Sequence, residues 1–95
     1  MKLPKPSQYP KELVVNGVNW RVIFVDQIDG KDCLGLCDSE TKTIQLIRKM
    51  SPKERLTTFI HEIAHAIEYS YSFELKHDHI YKLAQGLTDV LIVNF

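Results

Sequence analysis

The chain has 95 residues, 12 lysines and arginines against 12 aspartates and glutamates, and 44% hydrophobic residues. This length allows one domain with one small core and leaves no room for a separate substrate-recognition domain. The balanced charge, without a long run of either sign, argues against nucleic acid or an anionic membrane as the main partner. Met1-Lys2-Leu3-Pro4-Lys5-Pro6 lacks an apolar signal region, and nowhere do about eighteen apolar residues run together. A soluble, cytoplasmic protein is expected.

Residues 1–10 carry three prolines, a serine and a glutamine, which suit neither a helix nor a central strand and predict an extended arm, with Tyr9 available to dock on the body. Residues 11–95 form the single domain. From Glu12 to Asp26, Leu13-Val14-Val15 and Val18 to Val25 flank Asn16-Gly17, the pattern of two strands around a type I′ hairpin turn. Asp29-Gly30-Lys31-Asp32 turns the chain into a strand over Cys33-Leu34-Gly35-Leu36-Cys37. Asp38-Ser39-Glu40-Thr41 turns it again into Lys42 to Ile47, where polar and apolar residues alternate up to Leu46. A small antiparallel sheet of about four short strands is the economical reading.

Cys33 and Cys37 are the only cysteines. A C-x3-C pair cannot close a four-thiolate zinc site, and along a strand its alpha carbons lie too far apart for a disulfide, so the two read as ordinary reduced thiols.

Ser51-Pro52-Lys53-Glu54 combines an N-cap serine, proline at the first helical position and a glutamate placed to complete a capping box. The helix it starts runs to about Tyr69. On its wheel Leu56, Phe59, Ile60, Ile63 and Ile67 form an apolar stripe, and Thr58, His61, Glu62, His65 and Tyr69 occupy another sector. Residues Ser70 to Lys76 break the period. Ile80, Leu83, Ala84, Leu87, Val90 and Leu91 then define a second amphipathic helix reaching almost to Phe95. The fold class is therefore α+β: a small sheet, a first helix carrying His61-Glu62-Ile63-Ala64-His65, and a C-terminal helix.

The His61-Glu62-x-x-His65 run carries the chemistry. Two imidazoles four residues apart share a helical face and can bind one metal ion, while the neighbouring carboxylate reaches its bound water. A catalytic zinc needs three protein ligands and an open position. His61 and His65 supply two, and Glu62 is the general base that takes a proton from the water and passes it to the leaving group. The plain alternative is a chance pair of histidines on a solvated face. Ile63, Ala64, Ala66 and Ile67 interleave with the motif where a solvent-facing helix would carry lysines and glutamates.

Thr58-Phe59-Ile60-His61-Glu62-Ile63-Ala64-His65-Ala66-Ile67 resembles the extended zincin signature of metallopeptidases. From about Val18 onward the chain also resembles small metallopeptidases of phages and mobile elements, related to the ImmA/IrrE and SprT-like groups. In these a sheet with a segment like Leu34-Gly35-Leu36 leads into the motif helix and then a second helix. The resemblance implies one Zn2+ ion, amide hydrolysis, and an extended peptide bound along an exposed strand edge. A peptide or protein substrate is implied, a regulatory protein such as a repressor among them.

Metzincins place a third histidine six residues after the second, with a glycine midway. Here those positions hold Tyr71 and Glu68, which excludes that subclass. A gluzincin-like arrangement takes the third ligand from the second helix, where Glu74, His77, Asp78 and His79 are the candidates. On the wheel His77 and His79 flank the apolar stripe and Asp78 points nearly away from it. The resemblance places the ligand position, often acidic, at His77, and histidine is a competent zinc donor there. The ordinary alternative is a pair of surface histidines in a first helical turn. Thr58 is a candidate for a supporting hydrogen bond, and Tyr69 is a weaker one for donation to a developing oxyanion.

Two functions follow as expectations: a zinc metallopeptidase, or a non-catalytic regulatory or partner-binding module that uses zinc to stabilise a small core.

Overall fold

The computed structural model describes residues 1–29 and 33–95. Its elements are a 3-10 turn at Pro6–Gln8, strands β1 (Glu12–Val15), β2 (Val18–Val25), β3 (Gly35–Asp38) and β4 (Thr43–Ile47), and helices α1 (Pro52–Tyr71) and α2 (His77–Asn94). The class is α+β, a four-stranded sheet followed by two helices. No helix among the described residues is long and apolar enough to cross a membrane.

The Asn16-Gly17 turn forms as its chemistry requires, with positive φ at Asn16 (49°) and Gly17 (75°). It pairs β1 and β2 antiparallel with Val15 opposite Val18. The Asn16 amide nitrogen then donates to the Ser70 carbonyl at 3.0 Å, which fastens the turn to the end of α1.

The sheet is mixed, which corrects the antiparallel expectation. Its order is β1-β2-β4-β3: β4 pairs parallel to β2, with Arg21 opposite Thr43, and antiparallel to β3. β4 therefore occupies a central position, and Ile44 and Leu46 are fully buried in it. Alternation along a strand repeats every two residues whichever direction its neighbour runs, so the pattern alone could not set the pairing. The turn expected over Asp29–Asp32 falls largely outside the described residues. In the β3–β4 turn the Asp38 carboxylate accepts the Glu40 N–H at 2.9 Å and the Thr41 N–H at 3.4 Å.

Ser51 caps α1 by accepting the Glu54 N–H at 3.2 Å. The Glu54 carboxylate returns to the Ser51 hydroxyl, at 3.2 Å, where a capping box would have it reach the Ser51 N–H. At the other end the left-handed Ser72 (φ 57°) closes the helix, its N–H donating to the Glu68 carbonyl.

The core lies between one sheet face and α1, with Trp20, Val22, Ile44, Leu46, Phe59 and Ala66 at its centre. Full burial of each large apolar side chain contributes roughly 1.5–3 kcal/mol. The Trp20 indole N–H donates to the Ser70 hydroxyl at 3.0 Å, so the largest core residue has its one polar atom satisfied by α1. Tyr9 docks into this core, edge-on to Phe24 (5.6 Å between centroids) and Phe59 (5.0 Å). The arm of residues 1–10 therefore ends in an anchor.

Helix α2 packs on α1. It turns Ile80, Ala84 and Thr88 inward, a row at spacing four. The Thr57 hydroxyl lies 2.9 Å from that of Thr88, which donates to the Ala84 carbonyl at 2.7 Å. Leu83, Leu87 and Val90, expected on the packed stripe, are about half exposed: 51%, 47% and 50%. Small Ala84 and the paired threonines let the two helices approach closely, and the larger aliphatics stay outside that seam.

Candidate metal centre

The first helix delivers His61 and His65 one turn apart, with ring centroids 5.0 Å from each other. The second begins at His77, whose ring lies 4.9 Å from that of His61, and is stacked on that of His65 at 5.4 Å with 20° between planes. The Nε2 atom of His61 is 3.1 Å from that of His77 and 3.3 Å from that of His65. Among the described residues these three are the one group of metal-ligating side chains whose donor atoms all lie within 4.8 Å of one another.

The other candidates stand apart from it. Asp78 pairs with Lys82 at 3.2 Å. His79 lines a shallow apolar groove on the outer side of α2 beside Leu83, Leu87 and Val90. Glu74 is exposed in the connection between the helices.

The donor set fits a zinc ion. Tetrahedral ligands at about 2.0–2.1 Å from a metal stand roughly 3.3–3.4 Å from each other, close to the two spacings found. Burial, and then the proximity of His65 and His77, push His61 down from 6.5 to about 4, so its imidazole is neutral at pH 7 and has a lone pair to offer. Nδ1 of His65 meets the Glu68 carboxylate at 2.7 Å, which directs its Nε2 to the other two rings. Ring nitrogens this close are satisfied either by an N–H of one ring donating to the lone pair of another or by a shared cation.

Glu62 is only 6% exposed. It lies under β3, where Gly35 passes so closely that a Cβ built there would stand 3.0 Å from Glu62 Oε2 and 2.7 Å from Thr58 Cγ2. Burial pushes the Glu62 carboxyl up from 4.5 to about 7. A carboxyl titrating near neutrality is suited to taking up and releasing a proton.

A cleft of about 960 Å³ opens between β3 and the two helices, with His61, Glu62, His65 and His77 on its wall beside Leu34, Gly35 and Tyr81. The β3 strand is at the edge of the sheet, pairing with β4 alone among the described residues. Its Cys37 is packed against the core, and both Cys33 and Cys37 are free thiols.

The two supporting side chains considered from sequence take other roles. The Thr58 hydroxyl points to the Met50 sulfur at 3.7 Å, not to His61. Tyr69 lines the cleft but rests against Trp20, centroids 6.2 Å apart. The tyrosine nearest the triad is Tyr81, edge-on to His61 at 5.4 Å. It lies one turn beyond His77, a spacing from which its place could have been inferred. Glu68, three residues past His65, was legible in the same way as its hydrogen-bond partner. Gly35 was singled out only through the resemblance, in Leu34-Gly35-Leu36; its contact with Glu62 depends on which strand passes over α1, which no spacing gives. Comparison of the chain with protein-family models, with curated proteins and with solved structures finds no match.

Proposed function

We propose that this protein is a zinc-dependent metallopeptidase in which His61, His65 and His77 hold one Zn2+ ion and Glu62 is the general base. The convergence of three imidazole donors beside the buried carboxylate of Glu62 carries the reading. A zinc ion bound there would polarise the scissile carbonyl and acidify a water molecule. Glu62 would take that water's proton and pass it to the leaving amine. β3, paired with β4 alone among the described residues, runs along the cleft, and an extended peptide could add to its edge as a further strand. The substrate class is thus a peptide or protein segment able to extend, a regulatory protein among the options.

One observation favours the second reading, a non-catalytic zinc-stabilised module: α2 rests mainly on α1, and the triad spans those two helices, so a metal would staple them together. Against it, the cluster has three donors among the described residues, and a structural zinc site is ordinarily closed by four. Turnover of a peptide library by the zinc-loaded protein, with Glu62→Gln as the control, separates the two. The peptidase reading expects cleavage by the wild type, none by the variant, and zinc bound to both. Zinc that is needed for folding while no peptide is cut would establish the module instead.

A further inference from the structure

Glu68 follows His65 by three residues on α1, and its side chain is only 11% exposed. Its two carboxylate oxygens serve different parts of the chain. Oε1 meets Nδ1 of His65 at 2.7 Å, and Oε2 accepts the backbone N–H of Leu75 at 2.7 Å. Leu75 immediately precedes Lys76, the N-cap of α2, and stands two residues before His77. The Glu68 backbone carbonyl also accepts the N–H groups of Ser72 and, at 3.1 Å, Phe73, so the same residue ends α1 and holds the start of the connection.

A carboxylate accepts hydrogen bonds and donates none. The His65 contact therefore requires a proton on Nδ1; in the neutral ring this is the Nδ1–H tautomer, whose Nε2 lone pair faces His61 Nε2 at 3.3 Å. The Leu75 contact fixes the chain where α2 begins, and with it the approach of His77 to His61 at 3.1 Å. We infer that Glu68 is a positioning residue that couples closure of the α1–α2 connection to the tautomer of His65, bringing the third imidazole in while the second is held ready to bind metal. The inference rests on the zinc reading of the triad.

Glu68→Gln tests this coupling because the amide is nearly the same shape but has one acceptor and one donor. If its oxygen serves Leu75, its NH2 donates to His65 Nδ1 and drives the proton onto Nε2. If its oxygen serves His65, its NH2 opposes the Leu75 N–H. In neither orientation can the amide satisfy both partners.

The experiment uses full-length, 15N-labelled, metal-free protein at pH 8. Imidazole 1H–15N correlation reads the His65 tautomer, amide exchange reads Leu75, and zinc titration against a chromophoric chelator reads affinity. Wild type is expected to show His65 as Nδ1–H with a protected Leu75 amide. Glu68→Gln is expected to keep its helical content, bind zinc about 10- to 100-fold more weakly, and show either the Nε2–H tautomer or faster exchange at Leu75. Wild-type His65 in the Nε2–H form overturns the inference however the variant folds. So does a variant that binds zinc as tightly as a zinc-binding wild type, and that result leaves the metal reading intact. Wild type that binds no zinc overturns the metal reading and this inference with it.

Discussion

Gly35 and Glu62 are in contact through the space where a side chain on β3 would begin. A methyl group at Gly35 would stand 3.0 Å from Glu62 Oε2, 3.1 Å from Glu62 Cγ and 2.7 Å from Thr58 Cγ2. The backbone of the edge strand is thus the lid that keeps Glu62 out of bulk water. Gly35→Ala forces either β3 or the two α1 side chains to move, at a cost of about 1–3 kcal/mol in stability. If the protein is the peptidase proposed above, the substitution should also reduce cleavage, because Glu62 is displaced. Thr58→Ser removes the nearest carbon and should recover part of the lost stability in the double mutant. Urea denaturation of the four proteins in this cycle measures that coupling, and strictly additive effects would show that the contact is not what Gly35 serves.

The burial of Glu62 gives the metal-free protein a distinctive response to pH. Its carboxyl is raised from 4.5 to about 7, so between these values the native state binds the proton that the unfolded chain has released. Stability therefore falls as pH rises through this window and levels off above it. His61, lowered from 6.5 to about 4, acts in the opposite sense: the unfolded chain binds its proton first, and stability falls as pH drops through 6.5 towards 4. Glu62→Gln removes the first effect alone. Its stability relative to wild type should increase by on the order of 2–3 kcal/mol between pH 4.5 and pH 8. Denaturant titrations of both metal-free proteins across that range check this, and parallel profiles would contradict the buried ionisation.

Much of this architecture was legible because it depends on local chemistry. Asn16-Gly17 dictates its turn, Ser51-Pro52 dictates the start of α1, and the spacing of His61 and His65 puts them on one face whatever surrounds them. What was not legible depends on partners. Nothing in the alternation of Thr43 to Ile47 says that β4 lies between β2 and β3, parallel to one and antiparallel to the other. Hydrophobic periodicity put Leu83, Leu87 and Val90 in the packed stripe, but the helix seam selected Ala84 and Thr88 for their size. Glu62, placed with the polar sector, is buried because β3 carries a glycine where it crosses.

Cys37 offers a check on the electrostatics of the same region. Burial, with Glu62 and Asp38 adding negative charge, pushes its thiol up from 9.0 to about 12. The thiolate is the reactive form, so at pH 8 Cys37 should react with iodoacetamide about 1,000-fold more slowly than an unperturbed thiol, before any further steric protection. A Cys33→Ser protein isolates this thiol, and alkylation followed by mass spectrometry gives the rate. Reaction at the rate of a free peptide thiol would place Cys37 in a more open setting than the packed strand.

Metal removal distinguishes His77 from its neighbour His79. Zinc that binds only the folded chain stabilises it by about 2.7 kcal/mol at a concentration 100 times its dissociation constant, so chelation should lower the unfolding temperature of the loaded protein. The triad draws two donors from α1 and one from the first residue of α2, so if it holds zinc as proposed, the zinc-dependent increment requires His77. His77→Ala should weaken zinc by more than about 100-fold, beyond the roughly 10- to 100-fold typical of losing a supporting hydrogen bond. His79→Ala should keep the increment in full, because His79 faces the outer groove of α2. Thermal unfolding of the three proteins with zinc and with chelator tests both statements. A His77→Ala protein that retains the increment, or a His79→Ala protein that loses it, would move the third ligand away from His77.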